Sequence, residues 1–330
     1  MLKLFRKNMA VQALLILVAL IILWLRALIA PTPMVASAET DGVLYTVLYG
    51  WLSGVPLLGV IIAMVLVLAE GLVLNILLSD MGLVPQTTLL PTLLYIILMS
   101  APASTITPIL LVNGAMIACV ALLMLRGTLL TIPASRICSA TALIGLCSMF
   151  YLPSLALIVS YLFVAISFRL YNWRDIVALL LGLLAPYVLL VTVLYMTDGL
   201  SAWWSTTAAA LGGFAFNFAI DGSLPLIANI ILVLIVAASI FMLWGKLSEH
   251  PVLWQKNAST VMLLSVGGII MLFYTNVLPM DLAFFAIPFA LCGTHMLLPR
   301  RNVSTIGRRK ERLWIYDIIL IVTLVGAIIC

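Results

Sequence analysis

Glu39 and Asp41 stand two residues apart, just beyond the first long apolar run of the chain. Paired carboxylates at that spacing can act as a general base or hold a divalent cation. The alternative is a solvated loop, where acids cost nothing. Glu70 is a different case. It lies inside an apolar run, Val67-Leu68-Ala69-Glu70-Gly71-Leu72. An acid near mid-membrane costs roughly 2.5–3.5 kcal/mol on insertion scales, so a partner, a water-filled cavity or a bound proton has to offset it. Asn75 follows on the same run, five residues on, so the two need not share a face. Arg169 and Arg174 stand with Trp173 and Asp175 between two apolar runs and could reach lipid phosphates or an anionic lipid carrier. Topology anchoring explains the same arginines more simply. Arg26 could bind a phosphate or pair with Glu39 or Asp41, or snorkel to an interface.

Other chemistry is missing from the pattern. There is no phosphate-binding glycine loop, no nucleophile elbow and no H-E-x-x-H helix. The five cysteines form no C-x-x-C pair and read as small hydrophobes. His250 and His295 have no neighbours in sequence that would complete a metal site, and no metal or other cofactor is expected.

The elements that must position these groups follow from composition. Hydrophobic residues make up 65% of the chain and charged ones 8%. A soluble domain is about 45–50% apolar and about 25% charged. Lipid is the solvent that suits this chain, and in lipid the backbone must pair internally as helices or a closed barrel. The apolar runs are continuous rather than alternating, which favours helices over barrel strands. The expected fold is therefore an all-α, polytopic transmembrane helical bundle forming a single integral-membrane domain over residues 1–330.

About eleven spans are expected at the ~20 residues a crossing needs, near 9–30, 54–78, 88–101, 107–125, 137–151, 154–169, 176–196, 224–245, 258–275, 282–298 and 313–330. Pro91, Pro102 and Pro153 punctuate the shorter ones. Residues 203–221, opening with Trp203 and Trp204, are expected as an interfacial or re-entrant helix. Gly42-Val43-Leu44-Tyr45 is expected to start a short surface helix. The first residues mimic a secretory signal, with Ala36-Ser37-Ala38 as a cleavage pattern. The apolar run to Leu28 is long enough to span, so it is read as the first helix.

Charge sorts onto this layout. With the N-terminus in the cytoplasm, every Lys and Arg except Arg26 falls on the cytoplasmic side, as the positive-inside rule requires. Glu39, Asp41, Asp198, Asp221 and Asp281 fall outside, and so does the C-terminus. The net charge of +5 reflects these loops, not a nucleic-acid-binding face. The implied location is a bacterial inner (cytoplasmic) membrane. The implied partners are membrane lipids, a lipid-linked substrate or other membrane proteins.

Two resemblances bear on function. Glu70-Gly71-Leu72-Val73-Leu74-Asn75, Leu90-Pro91-Thr92-Leu93-Leu94-Tyr95, Phe150-Tyr151-Leu152-Pro153 and the run Arg169, Trp173, Arg174, Gly182, Pro186 resemble an uncharacterised family of bacterial multispanning inner-membrane proteins. That resemblance implies a membrane context and no activity. The acid pair after helix one, followed by many spans, looks like the layout of C-type-fold membrane glycosyltransferases, which use lipid-linked sugars. On that likeness Glu39 or Asp41 would be the base, and Arg26 would face the carrier phosphate. Three readings stay open: an enzyme acting on a polyprenyl-type lipid substrate at the outer face, a transporter or flippase built on Glu70, and a non-catalytic subunit of an envelope complex.

Overall fold

The computed structural model describes residues 9–31, 41–100, 105–124, 134–167, 173–212, 223–271, 283–297 and 320–323. Among them the chain is helical. The helices are α1 (Met9–Ile29), α2 (Val43–Leu52), α3 (Pro56–Asp80), α4 (Leu90–Ser100), α5 (Pro108–Met124) and α6 (Ala134–Phe150). A 3-10 turn at Leu152–Ala156 leads into α7 (Leu157–Ser167), followed by α8 (Trp173–Met196), α9 (Leu200–Gly212), α10 (Ser223–Gly245), α11 (Val252–Met271) and α12 (Ala286–Leu297). Residues 320–323 are helical as well. The one extended pairing among the described residues is an isolated antiparallel bridge between Asp41 and Tyr151.

Each apolar run expected to form a helix does so where it is described. The short helix expected after Gly42 is α2, and α9 covers the first part of the stretch near 203–221. The number of crossings is a separate matter. Among the described residues, three helices are long and apolar enough to span a bilayer, namely α1, α3 and α8. The reason is visible in α4 and α7, each of 11 residues. At about 1.5 Å per residue such a helix is roughly 16 Å long, about half of a ~30 Å hydrocarbon core.

Helix α4 lies at the centre, with every residue from Leu90 to Ser100 buried. Three neighbours hold it, namely α1, α3 and α12. Gln12 of α1 is fully buried; its amide donates to the Thr87 carbonyl at 3.0 Å and accepts from the Leu89 amide at 2.7 Å. It thereby serves backbone groups at the entry to α4 that would otherwise lack partners. Trp24, about three turns further along α1, donates from its indole to Ser100 Oγ at 2.9 Å. These two links fix α1 and α4 as parallel. On the other side Thr92 Oγ1 donates to the Gly71 carbonyl of α3 at 3.0 Å. Between helices in an apolar medium such bonds average about 0.6 kcal/mol each, so apolar packing supplies most of the stability and the bonds fix the register.

The outer surface is apolar. On α8, Leu181, Val188, Leu189 and Val193 are each at least 60% exposed. A soluble monomer rarely leaves so large an apolar face open, whereas lipid tails cover it without penalty. Asp41, Asp198 and Arg26 lie at one end of the bundle, with Tyr151 and the turn after α8. Arg136, Arg174, Lys246 and Lys256 lie at the other, with Asp80, Asp175, Glu249 and the ends of α3 and α12. The cross-links at that second end are Asn257 to the Met81 carbonyl, 3.3 Å, and His295 to the Leu83 carbonyl, 2.9 Å.

Small residues let α6 and α8 approach closely and in parallel. A β-carbon on Gly182 would collide with Thr141 Oγ1 and the Cys138 carbonyl, and one on Gly145 would sit 2.7 Å from Pro186 Cγ and 2.8 Å from the Leu183 carbonyl. Close backbone approach through small residues is a standard means of helix association in lipid. Gly182→Val is therefore expected to destabilise the fold by about 1–3 kcal/mol. Leu181→Val, on the open face, should be near neutral. Unfolding of the two variants in detergent, followed by circular dichroism, makes the comparison; equal stability would contradict the α6–α8 contact.

Candidate functional site

Glu70 sits on α3 one residue before the glycine that contacts α4. Its Oε2 accepts from the Tyr95 hydroxyl of α4 at 2.6 Å. Its Oε1 lies against Gly114 of α5, where a β-carbon would collide with it. Glu70 thus stands at a three-helix junction with one carboxyl oxygen hydrogen-bonded and the other packed beside Gly114, and Tyr95 is the compensating partner that its setting requires. Asn75 is buried on the same helix but makes no bond to Glu70, and its Oδ1 has no hydrogen-bond partner. The same is true of Oδ1 on Asn113, one residue before Gly114. The Asn113 amide nitrogen donates to the Ala283 carbonyl at 2.8 Å, tying α5 to the turn before α12.

The acid pair is only half described. Glu39 lies outside the described residues. Asp41 is partly buried, and its backbone pairs with Tyr151. The next residue, Gly42, donates its amide to the Phe150 carbonyl at 2.9 Å, and a β-carbon there would strike the Met149 carbonyl. This close approach brings the start of α2 onto the end of α6. Tyr45 is buried beneath it and donates to the Ile106 carbonyl at 2.9 Å. Burial, with the charge of Asp41 nearby, pushes the Tyr45 phenol above its ordinary range. Arg26 is exposed at the end of α1. Arg169 lies outside the described residues, and Arg174 is exposed in the first turn of α8.

A groove at the Asp198 end of the bundle was not anticipated from any single motif. A groove of about 960 Å³ opens between α8, α9 and the turn at Leu152–Ala156. Its floor is apolar, built from Leu152, Leu155, Leu183, Leu184 and Val191. On α8 the lining residues Leu184, Tyr187, Val191 and Tyr195 recur every three or four positions, which is one face of a helix. At the mouth stand Tyr195, Asp198, Ser201, Trp203, Trp204 and Thr207. Tyr187 reaches across the floor, with its hydroxyl 2.6 Å from Ser148 Oγ of α6. The volume is in the range of drug-sized ligand sites, about 300–1,000 Å³.

Local sequence explains how the groove forms. Helix α8 stops at a turn in which the Gly199 amide bonds the Leu194 carbonyl at 3.0 Å. Asp198 occupies the left-handed position of that turn with φ of 55°. Glycine is the usual residue at such a helix end. The turn folds α9 back beside α8 and leaves the trough between them.

At the opposite end the structure unites two histidines that are distant in sequence. His250 stacks on Trp254 with ring centroids 3.8 Å apart, and His295 meets the same indole edge-on at 5.3 Å. A carbonyl can only accept, so the His295 Nε2 facing Leu83 carries the proton. Among the described residues no group of three or more His, Cys, Asp or Glu is arranged to hold a metal ion.

No protein-family model, curated protein or solved structure matches the chain. Functional inference therefore rests on the site itself.

The Glu70–Gly114 contact can be measured by coupling. Gly114→Ala alone is expected to destabilise the protein. Combining it with Glu70→Asp, which withdraws the carboxyl by one methylene, should recover part of that loss, with a coupling of about 0.5–3 kcal/mol. Strictly additive effects in a double-mutant cycle would mean that the carboxyl does not occupy that space.

Proposed function

We propose that this chain is a multispanning protein of the bacterial cytoplasmic membrane that binds a lipid, or the chain of a lipid-linked molecule, in the groove between α8 and α9. The observation that carries the reading is the groove: an apolar trough of about 960 Å³ with an aromatic, hydroxyl-bearing mouth. Its floor is continuous with the exposed apolar face of α8, so a hydrocarbon chain can enter sideways from the bilayer. Tyr and Trp favour the membrane–water interface, where a headgroup would lie. This reading keeps a lipid-type substrate and moves the acid in contact with it from Glu39 or Asp41 to Asp198. Transport through Glu70 is less well supported, because its Oε2 is held by the Tyr95 hydroxyl in an interhelical hydrogen bond.

The orientation belongs to the same proposal. Arg136, Arg174, Lys246 and Lys256 lie at one end of the bundle, and that end is assigned to the cytoplasm by the positive-inside rule. The groove mouth then faces outward.

Two measurements test this. Leu184→Trp fills the floor of the groove and is expected to reduce lipid retained through purification, read by native mass spectrometry, on the order of tenfold, equivalent to about 1.4 kcal/mol. Unchanged lipid content would remove the basis of the proposal. In a cysteine-free background, Ser201→Cys is expected to react with an impermeant maleimide on intact spheroplasts, and Ser248→Cys only after permeabilisation. The reverse pattern would invert the orientation.

A further inference from the structure

The mouth of the groove has a chemical bias that its floor lacks. Among its lining residues there is one charged group, Asp198, and no Lys or Arg. The described cation at this end of the bundle is Arg26, on α1, which does not line the groove. The aromatic rings of Tyr195, Trp203 and Trp204 line the same groove. The two indoles lie 6.3 Å apart, tilted by 58°. A carboxylate in one groove with several aromatic rings attracts an organic cation and disfavours a ligand of net negative charge. The hydroxyls of Ser201 and Thr207, on the same rim, can donate to a phosphate oxygen.

The backbone is compatible with a carboxylate here. Asp198 holds a left-handed conformation at φ of 55°, and Gly199 follows directly. Glycine at 198 would take that conformation without penalty, and aspartate is among the few other residues that adopt it readily.

We infer that the groove selects a lipid with an ammonium-bearing, zwitterionic headgroup of the phosphoethanolamine or phosphocholine type, with Asp198 and the aromatic rim receiving the ammonium. The inference rests on the lipid-groove reading above and adds the headgroup class to it. A polyprenyl phosphate, which carries net negative charge and no ammonium, fits this rim poorly.

The test uses the delipidated full chain in neutral detergent and two short-chain probes with identical tails, dioctanoyl-phosphatidylethanolamine and dioctanoyl-phosphatidylglycerol. Binding is read by tryptophan fluorescence, with Trp203→Phe as the assignment control. The expected result is tighter binding of the ethanolamine lipid, on the order of tenfold. Asp198→Asn should reduce its affinity to that of the glycerol lipid and leave the latter unchanged. Asp198→Gly should lose the same selectivity while raising the melting temperature, a combination that a purely structural aspartate would not give. Equal binding of both lipids, insensitive to Asp198→Asn but abolished by Leu184→Trp, would overturn the headgroup inference and leave the groove reading intact. Phosphoethanolamine without tails binding as well as the lipid would also overturn it. Binding of neither lipid, with a dimer that Leu184→Trp disrupts, would assign the groove to a second copy of the chain and end both readings.

Discussion

A helix of eleven residues with no exposed side chain cannot match the thickness of a bilayer, so α4 exists only because other helices enclose it. The rest of the bundle is arranged around that constraint. Its entry is served by the buried amide of Gln12, its exit by the indole of Trp24 acting on Ser100, and its flank by Thr92 bonding the backbone of α3. Each link pairs a polar group that an apolar medium would otherwise leave unsatisfied. Each also fixes register between two helices whose leucine-rich faces would slide past each other at little cost.

Glu70 belongs to the same logic. An acid in an apolar run looks like a functional group, because an uncompensated one is expensive. Here the expense is met by Tyr95 and by close packing on Gly114, at the junction of α3, α4 and α5. The chemistry at that point is an interhelical bond. The open chemistry is elsewhere, on the outer flank, where α8 carries little of its surface into the core and turns back through Asp198 into α9.

The packing divides accordingly. Helices α1, α3, α4, α5 and α12 interlock through buried polar contacts. Helix α8 is held closely against α6 through Gly182 and Gly145, and its remaining faces stay open. A trough on that open side is reached laterally without opening the core, which a site at Glu70 is not.

The sequence alone determined the element type. Continuous apolar runs with 8% charge suit lipid and favour helices, and helices are what the described residues form. Of the expected sorting of charge, Arg136, Arg174, Lys246 and Lys256 do share one end opposite Asp41 and Asp198, but Asp80, Asp175 and Glu249 lie with them and Arg26 lies across. It identified Glu70 as a residue needing a partner. The identity of that partner was not legible, because Tyr95 is 25 residues away and nothing local marks it. Gln12 was equally hidden, a single amide in an apolar run whose role depends on Thr87 and Leu89 lying beside it. His250 and His295 looked solitary because their common neighbour, Trp254, becomes common only when α11 and α12 meet. The groove was decided by tertiary structure outright. Its lining comes from three segments, of which the sequence marked one, the stretch opening with Trp203 and Trp204, as interfacial or re-entrant and the others as apolar helix or turn. Only the left-handed turn at Asp198 sets them side by side, since a reversal of chain direction is what converts one exposed helical face into a trough.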